Sequence, residues 1–88
     1  MTSEDLTARM YFDQGRQSFA RHEFGEAADL MRKAVERDPL FEDAHRYLAE
    51  SYQKLGYQHR AKKAWEALLR VCKTEQQRAE IQGKLNKL

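Results

Sequence analysis

The chain reads as an all-α protein of five helices. Three observations predict this. Apolar residues recur at a spacing of about 3.6 along nearly the whole sequence. Strong helix formers (alanine, leucine, glutamate, glutamine, lysine and arginine) dominate it. One proline and four glycines leave few places where helices must stop. No stretch shows the alternation or the turn pairs of a strand.

Each helix has its own signals. The first is expected over about Glu4 to Arg21, with Leu6, Met10, Tyr11, Gln14, Ser18 and Phe19 along adjoining rows. Thr2 or Ser3 suits its N-cap, and Glu4 and Asp5 suit the first turn, where carboxylates meet unpaired backbone N–H groups. The stretch RHEFGEA breaks the pattern. A second helix follows from about Phe24 to Arg37, with Ala27, Leu30, Met31, Ala34 and Val35 on one face. Asp38-Pro39 ends it, because a residue before proline is pushed out of helical geometry. The third fits about Glu42 to Leu55 through Ala44, Leu48, Tyr52 and Leu55, with Gly56 supplying a left-handed C-terminus. The fourth fits about Gln58 to Cys72 through Ala61, Ala64, Trp65, Leu68 and Leu69. The fifth begins at Thr74, where TEQQ has the form of a capping box, and carries the narrow stripe Ile81, Leu85 and Leu88. Short connections make consecutive helices antiparallel neighbours.

Composition excludes several function classes. The 88 residues allow one small domain, and 41% hydrophobic with 34% charged residues is the balance of a folded chain. A net charge of +2 is too weak to argue for nucleic acid or an anionic membrane surface, and the basic second half reads as charge facing solvent. No apolar run approaches the length that spans a bilayer. MTSEDLTARM lacks the basic-then-apolar layout of a signal peptide, so a cytoplasmic location is expected. Cys72 is the one cysteine and reads as a small apolar residue at a helix end. His22, His45 and His59 fall in no metal-ligand spacing, and the isolated glycines form no phosphate loop. No cofactor, no metal and no catalytic constellation is expected, so an enzyme is not.

Sliding the chain by 34 residues mostly superimposes small on small and large on large, although Ser18 falls on Tyr52 and Phe19 on Gln53. Ala27 falls on Ala61, Met31 on Trp65, Ala34 on Leu68, Val35 on Leu69, and Gly15 on Ala49. The first unit holds Tyr11, Gly15, Phe24, Ala27, Ala34 and the closing Pro39. The second holds Leu48, Ala49, Tyr52, Gly56, Ala61 and Trp65, in the spacing YLAxxYxxLG followed by alanine and an aromatic. In these residues the chain resembles the tetratricopeptide repeat (TPR) family over about Ala8 to Glu75. Gln14, Ser18 and Lys73 depart from the family pattern.

The resemblance implies a single domain of antiparallel hairpins stacked as a short right-handed solenoid. Repeat one covers about 8–41, repeat two about 42–75, and a polar-backed capping helix about 75–88. Gly15 and Ala49 would sit where the helices of a hairpin cross, while Tyr11, Tyr52, Met31 and Trp65 fill the space between hairpins. Two registers remain for the last helix. Gly83 aligns with Gly15 and Ala49, whereas the Ile81, Leu85, Leu88 stripe suits a shift of one.

In this family the first helix of each hairpin lines a concave groove that binds peptides. The implied groove comprises Arg9, Phe12, Asp13, Arg16 and Phe19 from the first helix, and Asp43, Arg46, Tyr47, Glu50, Gln53 and Lys54 from the third. Phe12 and Phe19, at i and i+7, share a face. Flanked by Arg9, Arg16 and Arg46, they suit a peptide with an apolar anchor and an acidic group, or else both rings pack into the next helix. The lysine and asparagines with which chaperone-binding members hold a C-terminal carboxylate are replaced by Phe12, Arg16 and Tyr47, so that ligand is not expected. The expected function is therefore an adaptor or scaffold that binds a protein or peptide partner. Because two hairpins are near the lower limit for such a stack, the alternative is a self-associating unit such as a homodimer, or a piece of a longer repeat protein.

Overall fold

Residues 3–88 are described by a computed structural model, in which every helix expected from the sequence is found: α1 (Leu6–Ala20), α2 (Phe24–Arg37), α3 (Glu42–Leu55), α4 (Gln58–Val71) and α5 (Glu75–Asn86). No strand occurs among the described residues. Each helix packs against the next, and α1 also meets α3. The radius of gyration is 12.0 Å, which is about the value for a compact domain of this length. None of the helices is long and apolar enough to cross a membrane.

Small residues sit at the contacts between helices. Ala8, Ala27, Ala34, Ala44, Ala49 and Ala61 are fully buried. Gly15 shows why size matters there. A Cβ added to it would lie 2.8 Å from the Met31 methyl and 3.3 Å from the Leu30 Cβ, so α1 approaches α2 more closely than a side chain permits. Large residues fill the remaining volume: Met31, Leu48, Leu68, Trp65 and Ile81 are buried, Trp65 to 1% exposure. Its indole N–H donates to Gln53 Oε1 at 3.0 Å, which satisfies the one polar atom that burying the ring would otherwise strand. Tyr11 and Tyr52 are only half-buried, on the flanks of this core.

Two expectations about α1 are corrected. Its N-cap is Asp5, whose carboxylate accepts from the Ala8 N–H at 3.0 Å. That bond holds the Asp5 carboxyl below its ordinary range, with the nearby Arg37 guanidinium acting in the same direction. Ser3 does not cap the helix. Its hydroxyl donates to Asp38 at the end of α2 and accepts from the Asp5 N–H, tying the chain start to the α2–α3 turn. Thr2, the other candidate, lies outside the described residues. The buried face is also shifted: of the expected rows Ser18 is buried and Tyr11 and Phe19 are half-buried, but Leu6, Met10 and Gln14 are exposed, and Ala8 and Gly15 are buried in their place. The bulky apolar residues drew the expected face outward, but the inner row is made of small ones.

The ends of the later helices follow the sequence signals. Thr74 caps α5 by accepting from the Gln77 N–H at 3.1 Å, half of a capping box. A Cβ on Gly83 would meet nothing within 4 Å, and Ile81 is buried, so Ile81 and not Gly83 makes the contact of α5 with the core.

The backbone repeats at the offset that the sequence shows. The bond from the Glu23 N–H to the Ser18 carbonyl recurs as Tyr57 to Tyr52, and that from Ala27 to Glu23 recurs as Ala61 to Tyr57. Asp38 to Ala34 recurs as Cys72 to Leu68. In the turn between the helices of each pair, His22 and Gly56 occupy the same left-handed position, at φ 64° and 80°. Glycine adopts that geometry without steric cost, whereas histidine does not. His22→Gly is therefore expected to stabilise the protein by about 0.5–1 kcal/mol, and Gly56→Ala to destabilise it by about 1 kcal/mol. Thermal unfolding should show shifts of a few degrees in opposite directions, and shifts of the same sign would contradict the turn assignment.

Candidate functional site

The side of the molecule shared by α1 and α3 is built on aromatic rings. Phe12 packs on Phe41 with centroids 4.8 Å apart and meets the edge of Tyr47 at 5.6 Å. One helical stretch later, Phe19 meets Tyr47 at 5.2 Å and Phe24 at 5.1 Å, both edge to face. Tyr47 is thus the ring that both phenylalanines share. Edge-to-face packing is favoured because the positive rim of one ring meets the negative face of the other. Phe12, Phe19 and Tyr47 are all half-buried, and Phe41 is buried.

Two open depressions adjoin the Phe19 end of this cluster. One, of about 310 Å³, is lined by Arg16, Gln17, Phe19, Ala20 and Tyr47. The other, of about 530 Å³, is lined by Phe19, Glu50, Gln53, Lys54 and Lys84. Phe19 lines both, so the two adjoin at that residue; together they are the trough, with walls from α1, α3 and α5. The Arg16 guanidinium lies over the Phe12 ring at 5.6 Å, and the Lys84 ammonium lies over the Trp65 ring at 5.4 Å. Because the Trp65 N–H is met by Gln53 Oε1, the Gln53 amide nitrogen retains its two donors.

The structure brings together part of the expected groove. Arg16, Phe19, Tyr47, Glu50, Gln53 and Lys54 line the trough. Phe12 does not; its half-buried ring packs on Phe41 and Tyr47 with the Arg16 guanidinium over it. The expectation that both phenylalanines act alike is thereby split, one being a packing residue and the other a lining residue. Arg9, Asp13, Asp43 and Arg46 line neither depression. Arg46 has its Nε buried with no partner among the described residues, one helical turn after Glu42, whose Oε1 is buried in the same condition. Sequence reasoning missed Gln17, Ala20 and Lys84. The last comes from the helix read as a polar cap, and the only signal for it was its own spacing from Ile81 along α5.

Other polar groups serve the scaffold. His45 is buried with Nε2 2.7 Å from the Pro39 carbonyl oxygen, so Nε2 carries the proton and donates to the turn between α2 and α3. Cys72 is buried at the end of α4. No group of three metal-ligating side chains occurs among the described residues. No protein-family model matches the chain, and no curated protein matches it in sequence.

Since Tyr47 joins both halves of the aromatic cluster, Tyr47→Ala is expected to lower stability by about 2–3 kcal/mol. Arg9→Ala, at an exposed site with no ring contact, should stay within about 0.5 kcal/mol. Urea unfolding of the two variants checks this ordering.

Proposed function

We propose that the chain is a TPR-type repeat protein, two helical hairpins closed by α5, which binds a peptide or helix of a partner protein in the α1–α3 trough. The recurrence at an offset of 34 residues of the turn bonds, and of the bounds of α2 in α4, supports the repeat reading. One observation carries the binding reading: an aromatic floor, Phe19 and Tyr47, opens to solvent between side chains that bind polar backbone and charged groups, Arg16, Gln17, Gln53 and Lys54. Binding sites pair such an apolar anchor with a few convergent polar groups. Family-level function in this reading is adaptor or scaffold work, with no chemistry performed on the partner.

A second reading is favoured by a different surface. Leu6 is 75% and Met10 50% exposed, on the outer side of α1 away from the core. In a stack of hairpins that row would be covered by a preceding hairpin or by another copy of the chain.

Site-specific photocrosslinking separates the two. A photoreactive residue at Gln17 is expected to capture a partner protein from the native host's extract, and one at Lys62, an exposed position of α4, is not. Equal capture at both positions contradicts the trough as the site. Capture at Met10 of a second copy, with nothing at Gln17, replaces the first reading with the second.

A further inference from the structure

We propose that the trough selects an acidic peptide segment carrying an apolar or aromatic side chain among its carboxylates; this rests on the trough being the binding site. Its basic groups converge from three helices, Arg16 of α1, Lys54 of α3 and Lys84 of α5, around the shared Phe19. Among the described residues none of the three has a carboxylate within ion-pair distance. Two are instead held against rings, Arg16 on Phe12 and Lys84 on Trp65. A cation on an aromatic face keeps its N–H donors available at the edge of the ring, so these side chains are positioned without being neutralised. Arg32 and Arg37, on α2, show the alternative, since both are bonded to carboxylates of the same chain.

The acids on the trough wall do not offset this. Glu50 is its single carboxylate, against three cations. The Gln53 amide adds two donors in the same depression because its oxygen is committed to Trp65. Donors and positive charge therefore outnumber acceptors around one half-buried ring. A segment of complementary sign, with carboxylates spaced on either side of an apolar residue, would place that residue against Phe19 and Tyr47 and its acids near Arg16, Lys54 and Lys84. Such a pairing gives selectivity and speeds association, and salt weakens it.

The test is a selection from a random peptide library displayed on phage against the immobilised full chain, followed by fluorescence anisotropy of the enriched peptides. The variant Lys54→Glu/Lys84→Glu changes two exposed residues and should leave the helical circular dichroism intact. The proposal expects enriched peptides rich in aspartate and glutamate around an apolar residue. It also expects binding to weaken by about tenfold or more when their acids are changed to amides, and again in the charge-reversed variant. Enriched peptides without acidic bias that still crosslink to Gln17 would overturn the acidic selectivity and leave the trough reading standing. Enrichment of nothing at the trough, with light scattering showing a dimer that Lys84→Glu dissociates, overturns both, because a second copy would then fill the trough.

Discussion

Close approach of neighbouring helices is the constraint on which the rest depends. Helices separated by alanine and glycine come near enough for their backbones and small side chains to interlock, and the large residues then fill the spaces left over. The fully buried alanines on α1 through α4, together with Gly15 under Met31, set the spacing of each helix pair. A chain of 88 residues has about 4–13 kcal/mol of net stability. Overpacking one such contact is therefore a substantial fraction of the whole.

That spacing also fixes the trough. With α1 against α2 and α3 against α4, Phe12 and Phe19 of α1 come to face Tyr47 of α3. Tyr47 bridges Phe12 and Phe19, and the ring of Phe19 remains at the edge, where it is accessible. Lys84 reaches the same space because Ile81 seats α5 on the core one turn earlier. The trough is in this sense a consequence of the packing, with polar side chains added on its open side.

Most of the fold was legible in the sequence. Asp38-Pro39, Gly56 and Thr74 marked helix ends by mechanisms that act locally, and the structure places the ends of α2, α3 and α4 within a residue of expectation. The shift of the buried face of α1 was not legible from apolar spacing, since a row of alanine, glycine and serine has low hydrophobicity yet is the row that allows contact. The left-handed turn at His22 was hidden for a related reason: its counterpart Gly56 carries the usual signal, and histidine carries none. The site was legible in part. Residues on one helix face could be grouped, but whether a phenylalanine lines a surface or packs beneath it depends on Phe41, which lies in the α2–α3 turn outside any periodic pattern. Lys84 needed the placement of α5, which is tertiary information.

The most direct check of this account is the unfolding stability of enlarged alanines. Ala49→Leu and Ala61→Leu, at fully buried contacts, are compared with Ala79→Leu at an exposed position of α5. The account predicts a loss of about 1–3 kcal/mol for each buried site and a change within about 0.5 kcal/mol for the exposed one. Equal effects at all three positions would contradict it, because the helices would then not depend on small residues for their approach.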